Sequence, residues 1–174
     1  MSSAKGASIS LKREQFEQAV RAYSADLYRF AYWLCRDRHV AEDVVQEACL
    51  RAWKSWIDLR DPAQAKAWLM TIVRRETART FARKRNETPL EEIDENELPA
   101  IPAFGAEIEM TQLVARLPET YREPLLLQVL GGFSCAEIAA MLDSTEGAVM
   151  TRLTRARQAL RQQFSDPVKI GAGR

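Results

Sequence analysis

Histidine occurs once in the 174 residues, at His39, and cysteine only three times, at Cys35, Cys49 and Cys135. The cysteines are odd in number, lie far apart and form no C-x-x-C pair, so neither a disulfide framework nor a zinc knuckle is signalled. Cys35 and His39 stand four apart, a spacing that one helix face could hold, but two ligands do not close a tetrahedral site, and no metal is expected. A G-x-x-x-x-G-K-[ST] phosphate loop is missing, and carboxylates do not cluster as metal-assisted chemistry requires. No catalytic residue and no cofactor are therefore nominated. The opening MSSAKGASIS lacks the apolar stretch of an export signal, and no window approaches the ~18 apolar residues of a membrane span. A soluble, reduced, cytoplasmic chain with no membrane insertion is the expectation.

Net charge is also nearly absent: 25 Lys and Arg stand against 24 Asp and Glu, for a formal +1. The average hides a sorting of charge along the chain. Arg74, Arg75, Arg79, Arg83, Lys84 and Arg85 face a single nearby acid, Glu76, whereas residues 86–106 hold six acids and no base. Charge sorted in this way is informative where the average is not.

Glycine is scarce, with seven residues, and no Val/Ile/Thr-rich alternating run appears. Apolar residues instead recur every three or four positions, so the chain is read as all-α. Phe16, Val20, Tyr23, Leu27, Phe30 and Leu34 form one stripe of a helix over about 12–36, expected to be core. A second helix, about 40–56, groups Val45, Cys49 and Trp53 with Val44, Ala48 and Ala52 beside them, and turns Asp43, Gln46, Glu47 and Lys54 the other way. Asp61 as cap and Pro62 at the first helical position open a third helix that runs to Arg85. These three helices make a first domain, residues 10–85. Residues 86–106 carry three prolines among the acids and read as an extended linker.

Apolar positions resume at Ile108, Leu113 and Leu117, and Pro118 precedes a helix that contains Pro124 and stops at Gly131 and Gly132. Ser134 with Glu137 makes a capping box for CAEIAAML, and after the DST turn a last helix follows. Two helices joined by so short a turn, the second of them basic, are a helix-turn-helix signature within a second domain, residues 107–165, ahead of a tail, 166–174. At 100° per residue, Val149, Leu153, Ala156, Leu160 and Phe164 share one inward sector of the last helix. Thr151, Arg155 and Gln158 fall opposite, with Arg152 on the flank. Four arginines and no acid between Val149 and Arg161 suit a helix lying in a DNA groove, although a solvated basic face has the same composition. The basic half of the third helix suits phosphate contacts, and Trp53, Trp56 and Trp68 are placed either to stack on bases or, as their area favours, in the core.

The blocks AEDVVQEACLRAW and AWLMTIVRRETARTFARKR resemble region 2 of extracytoplasmic-function sigma factors, and LPETYREPLLLQVLGGFSCAEIAAMLDSTEGAVMTRLTRARQAL resembles their region 4. The resemblance spans roughly residues 20–163 and implies a region 2 helical bundle and a region 4 helix-turn-helix, with the acidic linker between them. It implies a protein that binds RNA polymerase core and selects promoters while catalysing nothing itself. Asp43, Gln46, Glu47 and Leu50 are then implied to meet the clamp helices of the polymerase β′ subunit. The segment Ile57 to Ala63 and the basic helix, with Arg74, Arg75, Arg79 and Arg83, are implied to meet minus-ten promoter DNA, and Thr151, Arg152 and Arg155 the minus-thirty-five element. Relatives often have Asn where Arg75 stands and a basic residue where Met150 stands, which bears on base preference. An inhibitory anti-sigma factor is implied as a further partner. The linker is implied to thread toward the RNA exit path, or else to serve as a plain tether. Rival readings rank below this one: a stand-alone helix-turn-helix regulator leaves the first block unexplained, a nucleic-acid enzyme lacks a catalytic constellation, and a polypeptide-binding module would be separated by filter binding of the holoenzyme to promoter DNA.

Overall fold

The computed structural model describes residues 2–87 and 112–165, and every regular element among them is helical. The chain divides into two compact units, Met1–Pro99 and Ala100–Arg174. Of the expected linker, Asn86 and Glu87 still belong to a helix; residues 88–106 and the tail 166–174 lie outside the described residues, as does Ile108.

The first unit packs three helices: α1 (Ser2–Cys35), α2 (Arg38–Ser55) and α3 (Ala65–Glu87). Helix α1 begins ten residues before the expected start, because a polar N-terminal extension shows no apolar period yet can propagate a helix already begun. Its stripe is graded: Leu27, Phe30 and Leu34 are buried, whereas Phe16, Val20 and Tyr23 are only half-buried. The chain leaves α1 through Arg36, a left-handed residue with φ 58°, and Asp37 caps α2 by accepting the Val40 N–H at 3.0 Å. In α2 the buried face is Ala41, Val44, Ala48 and Ala52. Val45 and Cys49 are half-buried and Trp53 is 46% exposed, so that of the two neighbouring apolar rows one lies at the rim. Three alanines on the buried side let α2 approach its neighbours closely, which turns the bulkier row outward.

After a short 3₁₀ turn, Trp56–Asp58, Asp61 accepts the Ala63 N–H at 3.0 Å and Pro62 opens a second 3₁₀ turn that merges into α3. Trp56 is buried, its ring edge-on to Phe16 at 5.2 Å and to Trp68 at 5.8 Å. The tryptophans thus serve mainly as core and as its edge. Helix α3 buries Ala65, Leu69, Met70 and Val73, and then two polar residues, Glu76 and Thr77. Lys66 on α3 meets Asp26 on α1 at 3.0 Å, tying the first and last helices of the unit.

The second unit has a helical turn at 112–115 and then α4 (Glu119–Val129), α5 (Cys135–Met141) and α6 (Glu146–Ser165). Gly131 is required by crowding: a Cβ there would stand 2.5 Å from the Leu127 carbonyl oxygen and from the Phe133 ring. Ser134 and Glu137 form the full reciprocal capping box at the start of α5. The turn into α6 passes through Asp143 at φ 51°, and the Thr145 hydroxyl accepts the Ala148 N–H at 3.2 Å. Val149, Leu153 and Ala156 of α6 are buried where it packs on α4 and α5, as are Leu126, Leu127 and Ile138 of those helices, and Leu160 is half-buried. The Phe164 side chain lies outside the described residues.

Candidate nucleic-acid and polymerase interfaces

On α2, Asp43, Gln46, Glu47 and Leu50 are all exposed and lie on one face, as steps of three, one and three require. The face is not purely a solvated row. Glu47 Oε1 meets Arg51 at 3.1 Å, and Arg51 Nε reaches Glu76 Oε1 on α3 at 2.8 Å. Beside it, between α1 and α2, runs an apolar groove of about 750 Å³ lined by Phe16, Val20, Tyr28, Val45, Cys49, Leu50 and Trp53, with Glu42 and Gln46 at its edge. Burial in this wall raises the Cys49 thiol above its ordinary value, which disfavours the reactive thiolate.

On α3, Arg75, Arg79 and Arg83 are exposed along one stripe, while Arg74 is half-buried. Arg75 and Arg83 form no ion pair among the described residues, whereas Arg79 donates to Glu76 Oε1 at 2.5 Å. The segment leading into α3 presents Ile57, 63% exposed, whose carbonyl accepts from Lys12 Nζ at 3.3 Å. Glu76 is the residue that sequence reasoning passed over, counting it only as an acid in a basic run. Its position carried a signal: three beyond Val73 and seven beyond Leu69, it belongs to the buried stripe of α3.

On α6, Thr151 and Arg155 are exposed and Arg152 is half-buried, on the side away from Val149, Leu153 and Ala156. The Thr151 hydroxyl donates to the Gly147 carbonyl at 2.9 Å, and Arg155 leans toward the Tyr121 hydroxyl at 3.4 Å. Arg157 is tied to Gln128 on α4 at 2.5 Å. Met150, 55% exposed, adds an apolar patch to the same outer surface. Among the described residues no group of three His, Cys, Asp or Glu is placed to hold a metal ion, and no helix is long and apolar enough to cross a membrane.

A three-helix unit with an acidic α2 face and a basic α3 stripe, joined in one chain to a helix-turn-helix with a basic outer face, is the architecture of a transcription factor with more than one surface. Comparison with known proteins narrows the class. The sigma-70 region 2 family matches residues 19–87, and the sigma-70 region 4 family matches residues 107–160. The ECF RNA polymerase sigma factor SigL of Mycobacterium tuberculosis is 34% identical over 168 residues, 92% of this chain and 93% of its own length. SigM of Bacillus subtilis, another ECF sigma factor, is 28% identical over 86% of this chain and 94% of its own. Among solved structures, the sigma factor RpoE of Bartonella quintana, in complex with the anti-sigma factor NepR, matches with a TM-score of 0.73 at 25% identity, covering 87% of this chain and 98% of that one. The chain belongs to the extracytoplasmic-function RNA polymerase sigma factors. Its function is promoter-directed initiation of transcription, and sigma factors as a family are initiation factors and not enzymes. A stand-alone operator-binding regulator would leave residues 19–87 without a purpose.

Proposed function

We propose that the two units divide promoter recognition as follows. The exposed α2 face, Asp43, Gln46, Glu47 and Leu50, docks on the clamp helices of the polymerase β′ subunit. Arg74, Arg75 and Arg83 of α3, with the Ile57 to Ala63 segment, meet the opened minus-ten DNA. Arg79, of the same stripe, is engaged by Glu76 and is left out of the contact set. Thr151, Arg152 and Arg155 of α6 read the minus-thirty-five element in the major groove. The protein itself carries no catalytic residue, metal or cofactor, and it works in the cytoplasm, where polymerase and chromosome meet.

The observation that carries this reading is the division of α6 into two sides. Val149, Leu153 and Ala156 are buried, while Thr151 and Arg155 face outward with Arg152 on the flank. A helix so divided anchors itself through one side and offers the other to base edges and phosphates. An anti-sigma factor is the proposed regulator. The solved relative bound to NepR supports it, as does the exposed apolar groove beside the polymerase-facing side of α2, where Leu50 is 57% and Trp53 46% exposed.

Run-off transcription by holoenzyme reconstituted from core polymerase and this chain, on promoters varied in both elements, tests the assignment. Arg152→Ala and Arg155→Ala are each expected to keep core binding. A lost base contact costs about 1–3 kcal/mol at one position of the minus-thirty-five element, whereas a lost phosphate contact weakens all promoters alike. Charge reversal at Asp43 is expected to reduce core binding with helicity intact. Wild-type behaviour of both arginine variants across the whole panel would remove α6 from the reading of DNA.

A further inference from the structure

Glu76 is the only buried acid among the described residues, 4% exposed on a helix otherwise read as basic. One carboxylate oxygen, Oε1, takes both Arg51 from α2 at 2.8 Å and Arg79 from α3 at 2.5 Å. The second acid of the array, Glu47, stands 3.1 Å from Arg51. Two acids and two arginines make the array neutral. It borders a surface cleft of about 320 Å³ between α2 and α3, whose lining includes four cations, Arg51, Lys54, Arg75 and Arg79. Two of those four are already compensated; Lys54 and Arg75 are not.

A buried carboxylate has given up its water and recovers that loss only through guanidinium partners held close. A phosphate arriving at the surface remains in high dielectric and competes weakly for the same cations. We propose that Glu76 is a positioning residue that withholds Arg51 and Arg79 from DNA phosphates, and thereby limits the affinity and salt sensitivity of single-strand binding by the first unit. The ligand class of the cleft is the phosphodiester backbone of the opened strand, held through Arg75 and Lys54. This inference rests on the reading that α3 faces minus-ten DNA. Without Glu76, the same helix surface would hold the strand more tightly and less selectively, since phosphate contacts carry no sequence information.

The test is fluorescence anisotropy of reconstituted holoenzyme on a labelled single-stranded oligonucleotide of the non-template minus-ten sequence, across a salt series. Glu76→Gln keeps the side chain's size and removes its charge. It is expected to tighten binding at low salt and to steepen the slope of log affinity against log salt by about 0.7 for each further phosphate neutralised, an extra ~2.6-fold loss of affinity between about 50 and 200 mM salt. The double variant Glu76→Gln with Arg79→Gln is expected to return toward the wild-type slope, which mere loosening of the helix pair would not do. On the wild-type background, Arg79→Gln is expected to leave the slope unchanged while Arg75→Gln lowers it. Should Glu76→Gln lose helicity or core binding, this last pair decides the matter. An unchanged slope in a folded Glu76→Gln holoenzyme, or Arg79→Gln lowering the slope as much as Arg75→Gln, overturns the proposal. Failure of wild-type holoenzyme to bind the oligonucleotide would instead refute the minus-ten reading of α3 itself, and this inference with it.

Discussion

The two units hold themselves together differently. In the first, long helices are joined by ion pairs between helices, Asp26 with Lys66 at 3.0 Å and Arg51 with Glu76 at 2.8 Å, and by rings running from Trp53 through Phe16 and Trp56 to Trp68. In the second, the helices close on an apolar centre of Leu127, Ile138, Val149 and Leu153, and the polar contacts between α6 and α4, Arg157 with Gln128 and Arg155 with Tyr121, are exposed. The difference separates two design problems. In the second unit the residues proposed to meet DNA touch the rest of the unit only through an exposed contact, Arg155 with Tyr121, and none belongs to its buried centre. In the first, the charges beside the proposed partner-facing surfaces also link α2 to α3, so that Glu47, Arg51, Glu76 and Arg79 cannot be treated one at a time.

Core truncation should give the largest effects and show whether the units stand apart. Phe30, fully buried in the first unit, is expected to cost about 3–5 kcal/mol when replaced by Ala, and Leu153→Ala in the second about 2–5 kcal/mol. Hydrogen exchange read helix by helix should show Phe30→Ala losing protection in α1, α2 and α3 while α4, α5 and α6 keep theirs, with the reverse for Leu153→Ala. Loss of protection in both units from either substitution would mean that they unfold as one.

Titration should sharpen the contrast, because the first unit is exposed to pH from both sides. The Lys66 ammonium holds the Asp26 carboxyl below the ordinary carboxylate range, with help from Arg29, and the Val40 N–H does the same for Asp37. A carboxyl more acidic in the folded state stabilises above its unfolded value of about 3.9, and that stability is lost as pH falls through the folded value. At the other end, burial pushes the Cys35 thiol up to about 11, against an ordinary 9.0 and despite the opposing influence of Thr77 and Lys84. The thiol therefore stabilises the fold below its unfolded pKa, and that contribution declines as pH rises toward 11, by on the order of 2 kcal/mol. Cys35→Ala is expected to flatten the alkaline limb of a denaturation series while leaving the acid limb in place. A variant with the same alkaline slope as wild type would assign that slope to another group.

Much of this was legible in the sequence, for identifiable reasons. The inward sector of α6, the capping box of α5 and the Asp61–Pro62 helix start each follow from local rules that need no knowledge of neighbours. The resemblance of the two blocks to region 2 and region 4 pointed to the family. Where the reading stopped short, the answer depended on packing between helices. Val45, Cys49 and Trp53 have the same spacing as Val44, Ala48 and Ala52, and only the close approach that small side chains allow decides which row is buried. Glu76 was legible by register and hidden by composition, since an acid in an arginine run looks like surface. Its partner Arg51 stands 25 positions away, on another helix, where no local rule reaches.

The smallest expected effect isolates the second unit's dependence on local chemistry. Helix α5 has only seven residues, too few to hold together by helix propensity alone, so its first turn relies on Ser134 and Glu137. The Ser134 hydroxyl accepts the Glu137 N–H at 3.3 Å and donates to Glu137 Oε2 at 2.7 Å, while the Ser134 N–H donates to the same carboxylate oxygen at 2.8 Å. Ser134→Ala removes the hydroxyl and leaves the last of these bonds, so the loss should be partial, about 1 kcal/mol. Ile138, fully buried, keeps the helix docked, so the substitution should lower the denaturation midpoint with no change in its slope. Ser134→Thr, which retains a capping oxygen, should recover most of the difference. If Ser134→Ala and Ser134→Thr unfold alike, the hydroxyl is not the group that starts α5, and the short helix depends on Ile138 and its neighbours alone.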